Sequence, residues 1–480
     1  MFARPRWSGL VVLGLLLVGR ASPAAEAVAL PAKPNVLFIA VDDLNHWVQF
    51  LGRNDQVKTP NLDRIAQRGV RFTHAYAPAP VCNGSRAALL SGLLPATTGV
   101  YENMVDWRPL IPPSLMLPTH FRNNGYFVAG SGKIYHERYD RKSDFDAYLP
   151  GAGKEPRPLP GTVGGVGGIQ FAPLDCKDDE MPDYRIVSYT IDQLNQKHDK
   201  PFFLACGVHK PHMPWNVPRK YYDMYPLETV KLPPVLATDL DDVPPVGVEM
   251  ADPKGDHAAI LKSGRWKEAV RAYLAAISYT DMNVGRLLDA LDKSAYRDKT
   301  IVVIWGDHGW HLGEKLHWRK FTLWEEATRA PLIWIVPGMT PANSICERTI
   351  DFMSMYPTLC DLCGLPTPKH VEGVSIRSLL AKPDAAWDRP ARTTFMLNNH
   401  AVRTEKWRYI RYHDGGEELY DEVKDPLEWT NLAGKPEFAD LKKQLAKHFP
   451  TVNKPAPKGS LGDASLSPAQ LKIALLRQAE

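Results

Sequence analysis

Long apolar runs are missing from nearly all of the 480 residues. The exception is residues 9–18, and ten residues fall short of the roughly 20 that a helix needs to cross a bilayer. An excess of charge of one sign is lacking too: 58 Lys and Arg against 54 Asp and Glu leave a formal net charge of +4, with no basic run. That balance gives no footing for nucleic acid. Cysteine is sparse: Cys82, Cys176, Cys206, Cys346, Cys360 and Cys363. The Cys-x-x-Cys at 360–363 has no second pair beside it, so core packing is a better reading than zinc. No internal repeat is present. The glycine-rich stretch 164–168 is no phosphate loop, because no Lys-Ser/Thr and helix follow in register.

What is there begins with a targeting segment. Arg4 and Arg6 precede the apolar run, and small residues at 21–27 suit cleavage near Ala25 or Ala27. Residues 1–27 therefore read as a signal peptide, with an uncleaved anchor as the alternative. The mature chain is expected to be exported, periplasmic or secreted, with no membrane span after cleavage. Export permits disulfides. A hydrophobic content of 44% and a charged content of 23% are ordinary for a globular protein, and the length admits more than one core.

Short apolar runs read as buried strands: 35–41, 70–75, 126–130, 201–207, 300–305 and 330–336. Helices are expected over 115–124, 182–196, 267–293, 351–363 and 438–449. In 267–293, Val270, Ile277, Val284 and Leu291 recur every seven residues, with Tyr273, Leu287 and Leu288 widening the stripe; packing without chemistry is expected there. Residues 227–256 read as a long loop and 383–390 as a linker. Beyond it, strands at 400–403, 407–412 and 417–420 with a Gly415-Gly416 turn suggest a small antiparallel sheet. The whole reads as an α/β/α core around a mostly parallel sheet. The divisions are 28–385 for the catalytic region, 386–455 for a C-terminal subdomain, and 456–480 for a tail with a short helix at 468–477.

Titratable residues cluster just after the strands, where open α/β sheets place functional groups. Asp42 and Asp43 follow the first strand, and two adjacent carboxylates repel unless a cation lies between them. Oxygen ligands favour calcium, or less so magnesium, over zinc. Lys133 and His136 follow another strand, offering a fixed charge and a group that exchanges a proton near neutral pH. His209-Lys210-Pro211-His212-Met213-Pro214-Trp215 forms a stiff polar loop, and two His without carboxylate or Cys support zinc poorly.

One further stretch, residues 79–92, draws these together. Pro78, Pro80 and Gly84 are expected to keep its front out of helix, with helix favoured from Ser85 onward. Cys82 would then stand just before a helix N-terminus, which favours an anion. Arg86, one turn on, could lean its fork back over Cys82. A buried, inert Cys ahead of an ordinary helix is the plainer reading.

The run Cys82-Asn83-Gly84-Ser85-Arg86, followed by Leu90-Ser91-Gly92, resembles the signature of the type I, formylglycine-dependent sulfatases. Gly84 stands where that family usually has Pro or Ala. The order Asp42-Asp43, Thr59-Pro60-Asn61-Leu62-Asp63 and Cys82 also resembles a sulfatase N-terminus. So does Gly306-Asp307-His308-Gly309 through Gly313-Glu314. His209-Lys210-Pro211-His212 is similar to the loop of iduronate-2-sulfatase-like members. The resemblance spans most of 34–450 as an ordered series.

It implies an alkaline phosphatase-like fold and hydrolysis of a sulfate ester. Cys82 would be oxidised to formylglycine by a formylglycine-generating enzyme or an anaerobic maturase. Its hydrate would be the nucleophile, and five cysteines would remain for any pairing. Asp42, Asp43, residue 82, Asp307 and His308 would hold the metal. Arg86, Lys133 and Lys320 would neutralise the sulfate oxygens, with Lys210 and His212 facing the ester. His212 would protonate the leaving alcohol, and His136 would take the proton that lets sulfate depart.

The substrate implied is a sulfated carbohydrate, with a uronic-acid-type 2-O-sulfate as a candidate. Trp107, Trp215, Trp310 and Trp324 are candidates for stacking on a sugar, with core packing as the alternative. Arg108 and Arg138 could meet a carboxylate. Two other functions stand beside this one. One is a phosphodiesterase or phosphonate hydrolase of the same superfamily, which usually carries a richer Asp and His set. The other is an inactive sulfated-glycan-binding protein, which Gly84 would favour.

Overall fold

The computed structural model describes residues 1, 30–159, 164–457 and 460. The segments read as signal peptide and last helix lie outside these. Eight strands form the main sheet: β1 (Asn35–Val41), β2 (Val70–Tyr76), β3 (Phe127–Gly132), β4 (Ala147–Leu149), β5 (Phe202–Val208), β6 (Thr300–Gly306), β7 (Leu332–Ile335) and β8 (Ser344–Asp351). Their order is β8-β2-β7-β6-β1-β5-β3-β4. Every pairing is parallel except those of β7, which runs against both β2 and β6.

The central strands are apolar throughout because both faces are covered. In β1, Leu37, Ile39 and Val41 join one core, while Val36, Phe38 and Ala40 join the other. The first core is closed by α1 (Pro60–Ala66), α4 (Pro182–Asn195) and α5 (Trp266–Lys293). The second is closed by α2 (Cys82–Ser91), α3 (Leu117–Asn123) and α6 (Met355–Leu362). The seven-residue stripe of α5 lies in the first core, and Cys360 and Cys363 are packed in the second. All six cysteines are free.

A four-stranded antiparallel sheet follows: β9 (Ala391–Thr394), β10 (His400–Arg403), β11 (Trp407–Arg411) and β12 (Glu417–Asp421). Gly415, at φ 92°, allows its tight turn. Helix α7 (Ala439–Ala446) packs there. The small sheet is tied to the large one by charge. Arg408 and Arg403 both pair with Glu325 and Glu422, and Arg408 also meets Glu428 at 2.5 Å. Thr394 N–H donates to the Pro78 carbonyl at 2.9 Å, so β9 braces the chain leading into Cys82.

Several sequence expectations are corrected. Helix α6 begins only at Met355, because 344–351 is an edge strand, parallel to β2, whose partly exposed residues hid its pattern. The expected loop 227–256 contains a helix, Pro245–Ala251, entered through proline at its first turn. The helix expected from Ser85 begins at Cys82, with Gly84 inside it. Its glycine is explained by space. A Cβ there would lie 3.1 Å from Ala79 Cβ and 3.2 Å from the Val100 carbonyl oxygen.

Candidate active site

The strand order β6-β1-β5-β3 puts four carboxyl ends side by side. The ladders run one step past the strands: Asp307 N–H donates to the Val41 carbonyl (3.2 Å), Asp42 N–H to Val208 (3.0 Å) and Lys133 N–H to Gly207 (2.9 Å). Asp42, Lys133 and Asp307 therefore leave the sheet at one level. Asp43 then turns away with φ 55°, a left-handed conformation that costs most L-residues roughly 1–2 kcal/mol and that Asp, like Asn, tolerates better than most. Its N–H donates to Asp307 Oδ1 at 3.0 Å. The hydroxyl of Tyr273, on α5, donates to its carbonyl at 2.8 Å and accepts from Asn45 N–H at 3.0 Å.

Cys82, first residue of α2, comes in from the other side. Its Sγ lies 2.9 Å from Lys320 Nζ, 3.3 Å from His308 Nε2 and 3.7 Å from Asp43 Oδ1. Burial, first, and the nearby Asp42 push the thiol well above its ordinary range. It stays protonated at neutral pH and is a poor nucleophile as it stands. Ser85 Oγ donates to the Asp307 carbonyl at 2.6 Å, which locks α2 to the end of β6.

Arg86 does something other than lean over Cys82. Its Nε donates to Asp307 Oδ2 (2.9 Å) and its Nη2 to Asp42 Oδ1 (3.1 Å). Its Nη1 donates to the carbonyls of Lys133 and Ile134. A planar fork suits two carboxylates at once, so the guanidinium is a strut beneath the cluster. Lys133 Nζ pairs with Asp42 Oδ2. Lys320 Nζ pairs with Asp43 Oδ1 at 2.6 Å. Three buried carboxylates thus face three buried cations.

The imidazoles are neutral. His308 Nδ1 meets the Gly309 carbonyl at 2.9 Å and His212 Nδ1 the Met213 carbonyl at 2.5 Å. Carbonyls only accept, so each ring carries its hydrogen on Nδ1 and turns the Nε2 lone pair inward. His308 Nε2 lies 3.3 Å from Asp43 Oδ1, and His212 Nε2 lies 3.8 Å from Asp43 Oδ2. Burial lowers both rings; Lys133, then Lys320, adds to this for His212. His136 is likewise held well below its usual range by burial and by Lys133, and its buried Nδ1 has no hydrogen-bond partner.

Asp43 Oδ2 is buried with no hydrogen-bond donor, a costly state unless a cation meets it. Ligand atoms of Asp42, Cys82, Asp307 and His308 lie within 4.8 Å of one another, as do those of Asp42, Asp43, Cys82 and His212. The donors fit a divalent cation, with three carboxylates, two imidazoles and the residue 82 side chain between the two groups.

Other expected contacts take a different form. Lys210 is buried, with Nζ donating to Glu155 Oε2 (2.7 Å) and the Pro214 carbonyl (2.5 Å). It is held within its own loop. Trp107, Trp215 and Trp310 are only 1%, 0% and 1% exposed, which corrects the idea that they stack on a sugar. Arg141 covers Trp107 at 4.6 Å, and Trp215 packs on Tyr273 and Trp310. Trp324 is buried as well. Arg108 pairs with Asp106. Tyr273 and Ser85 take roles beyond those expected: the stripe that contains Tyr273 reads as packing alone, and Ser85 as a residue of the signature run, and neither reading says that their hydroxyls reach the Asp43 and Asp307 carbonyls.

Fixed charges of both signs packed around one buried centre, on an alkaline phosphatase-like fold, mark a hydrolase of anionic esters. Comparison with known proteins narrows the class. Residues 34–365 match the sulfatase family, and 306–454 match the C-terminal region of N-sulphoglucosamine sulphohydrolase. A sulfatase of Formosa agariphila is 39% identical over 446 residues, covering 88% of this chain and 87% of that protein. Human iduronate 2-sulfatase is 30% identical over 384 residues, 70% of each chain. The crystal structure of a phosphonate monoester hydrolase of Agrobacterium radiobacter superposes with a TM-score of 0.75 at 22% identity, over 86% of this chain and 94% of that one. That last likeness concerns fold alone. The chain belongs to the sulfatase family and hydrolyses sulfuric esters.

Proposed function

We propose that this protein is an exported sulfatase acting on a sulfated saccharide, with a 2-O-sulfated uronic acid the first candidate. The reading rests on formylglycine made from Cys82, for which an oxidising maturase is the required partner. The observation that carries it is the position of Cys82: a buried, protonated thiol wedged between Lys320, His308 and Asp43. A thiol held in that state has little use as a nucleophile. Oxidised to formylglycine, the residue supplies an aldehyde hydrate, a nucleophile that can release its product. The iduronate 2-sulfatase relative, at 30% identity, supports the choice of sugar.

Calcium is the cation proposed, held by Asp42, Asp43, Asp307 and His308 with residue 82. It would supply positive charge where sulfate oxygens gain negative charge. The chain's own residues divide the remaining work. Lys133 and Lys320, desolvated beside Asp42 and Asp43, present fixed ammonium groups to the sulfate. Arg86 holds Asp42 and Asp307 in place from behind. His212 keeps its proton on Nδ1; its Nε2, protonated from solvent as the anionic ester binds beside it, gives that proton to the leaving oxygen as the S–O bond breaks. His136, neutral with a free Nδ1, accepts the proton from residue 82 when sulfate departs.

Two measurements test the reading. The peptide bearing residue 82 should lie about 18 Da below the unmodified mass, the change from thiol to aldehyde. The purified protein should release sulfate from 2-O-sulfated uronic acid disaccharides, and Cys82→Ala should abolish this while keeping the fold. A Cys82→Ala variant with most of its activity would refute the scheme. Faster turnover of an aryl phosphonate or phosphodiester than of any sulfate ester would redirect it.

A further inference from the structure

The segment after β6 has unusual backbone. Lys315, Leu316, Arg319 and Phe321 have φ of 54°, 51°, 81° and 77°. Each conformation of this kind costs an L-residue roughly 1–2 kcal/mol, so groups outside the segment must hold it. Lys315 Nζ donates to Asp239 Oδ1 (2.7 Å) and the Glu428 carbonyl. Arg319 Nε donates to Asp256 Oδ2 (2.6 Å), and Phe321 N–H to the Pro80 carbonyl (3.2 Å).

Lys320 sits between two of these strained residues, and its ammonium meets both Asp43 and Cys82 Sγ. Its own carbonyl is met by one side chain: His317 Nε2 lies 2.6 Å away. The other ring nitrogen, Nδ1, lies 2.6 Å from the carbonyl of Ala251, the last residue of the helix Pro245–Ala251. The ring is buried and stands edge-on to His311, 5.0 Å between centroids. His311 is itself fixed to Thr322 Oγ1 at 2.9 Å and the Glu314 carbonyl at 3.1 Å. Both partners are carbonyls, which only accept, so the ring binds the two together only with a proton on each nitrogen; in that form His317 ties the peptide of Lys320 to a separate helix.

We propose that His317 is a positioning residue for sulfate-ester hydrolysis, acting through the Lys320 backbone to keep that ammonium on residue 82. Without the tie, the peptide between Arg319 and Phe321 is free to relax toward negative φ, and Nζ swings with it. A misplacement of about 1 Å at a charge that stabilises the transition state costs on the order of 100-fold in rate. The kinetic part rests on the proposed function; the geometric part does not.

The test is a double-mutant cycle on sulfate release with His317→Leu and Lys320→Ala, plus a crystal structure of His317→Leu. His317→Leu alone should lower kcat/KM about 10- to 100-fold. His317→Gln, which keeps one donor for the Lys320 carbonyl, should recover part of it. In the Lys320→Ala background, His317→Leu should cost nothing more. A merely structural role would lower activity equally in both backgrounds, and that result overturns the proposal. In the crystal, Lys320 Nζ should lie more than about 1 Å from its wild-type position; an unmoved Nζ also overturns it. If His317→Leu does not fold, His317→Met, which also lacks a donor for the Lys320 carbonyl, replaces it in both measurements. A wild type inactive on every sulfate ester would sink the proposed function, and the Nζ position would still decide for His317.

Discussion

Replacing Arg86 by methionine would remove the strut beneath the carboxylates and keep much of its volume. In the wild type the guanidinium is fully buried and bonds Asp307 at 2.9 Å and Asp42 at 3.1 Å. After the change Asp42 keeps Lys133, whereas the nearest donor left to the Asp307 carboxylate is the Asp43 N–H at 3.0 Å. Removing one partner of a buried ion pair typically costs about 3–5 kcal/mol, because a charge is stranded out of water. Two carboxylates are affected, but protonation of Asp307 would limit the loss, so the same range is expected here. A cation binding the folded site at 100 times its Kd would return about 2.7 kcal/mol. The assay is urea denaturation of wild type and variant, each in EDTA and in excess calcium. The variant should lose about 3–5 kcal/mol in EDTA and regain part of it with calcium. A loss below about 1 kcal/mol in EDTA, the scale of an exposed pair, would show that the guanidinium does not carry these charges.

Tyr273→Phe deletes one oxygen and leaves the Asp43 carbonyl and Asn45 N–H without a partner. Each buried orphan costs about 1–3 kcal/mol, so the midpoint of unfolding should fall, and calcium affinity by calorimetry should weaken as Asp43 loosens; unchanged affinity would refute the clamp. His74 and His400 are both depressed to about 4, chiefly by burial and, second, by Arg329 for His74 and Arg411 for His400. Between pH 6.5 and about 4 each ring takes up a proton on unfolding, so stability is full above that window and falls as pH drops through it. The slope is at most about 1.4 kcal/mol per pH unit for each ring, and less at half-buried His74, where water screens it. His400→Gln should flatten the stability profile between pH 4 and 6.5; an unaltered slope would refute the assignment. Gly84→Ala sets a helix gain of about 1 kcal/mol against crowding of the Val100 carbonyl at 3.2 Å and Ala79 Cβ at 3.1 Å, so thermal unfolding should register a net change within about 1 kcal/mol; a loss of several kcal/mol would show that these neighbours cannot yield.

The parts of the site legible in the sequence are those fixed by one strand and the residue after it. Asp42, Lys133 and Asp307 each follow an apolar run, and a parallel sheet leaves little choice about where such residues emerge. The direction of Arg86 was not legible. Spacing along α2 put Cys82 and Arg86 one turn apart, but the fork points where two carboxylates from β1 and β6 converge, a fact of tertiary packing. The β8 edge strand was missed because its alternation is broken by Glu347 and Arg348, and edge strands tolerate charge.

The tryptophans fail for the opposite reason. Trp215 and Trp310 lie next to site residues in the chain, and nearness in sequence suggested nearness to substrate. An aromatic ring beside a buried ion cluster has a more immediate task, which is to keep water away from it. Lys320 Nζ stands 5.5 Å from the Trp310 ring, and Trp215 packs behind Trp310 against Tyr273. The apolar rings lower the local dielectric around Lys320 and Asp43, and a low dielectric is what makes fixed charges effective on a transferring group. The rings therefore matter to the chemistry through what they exclude, and contact with the group that carries the sulfate must fall to residues more exposed than these.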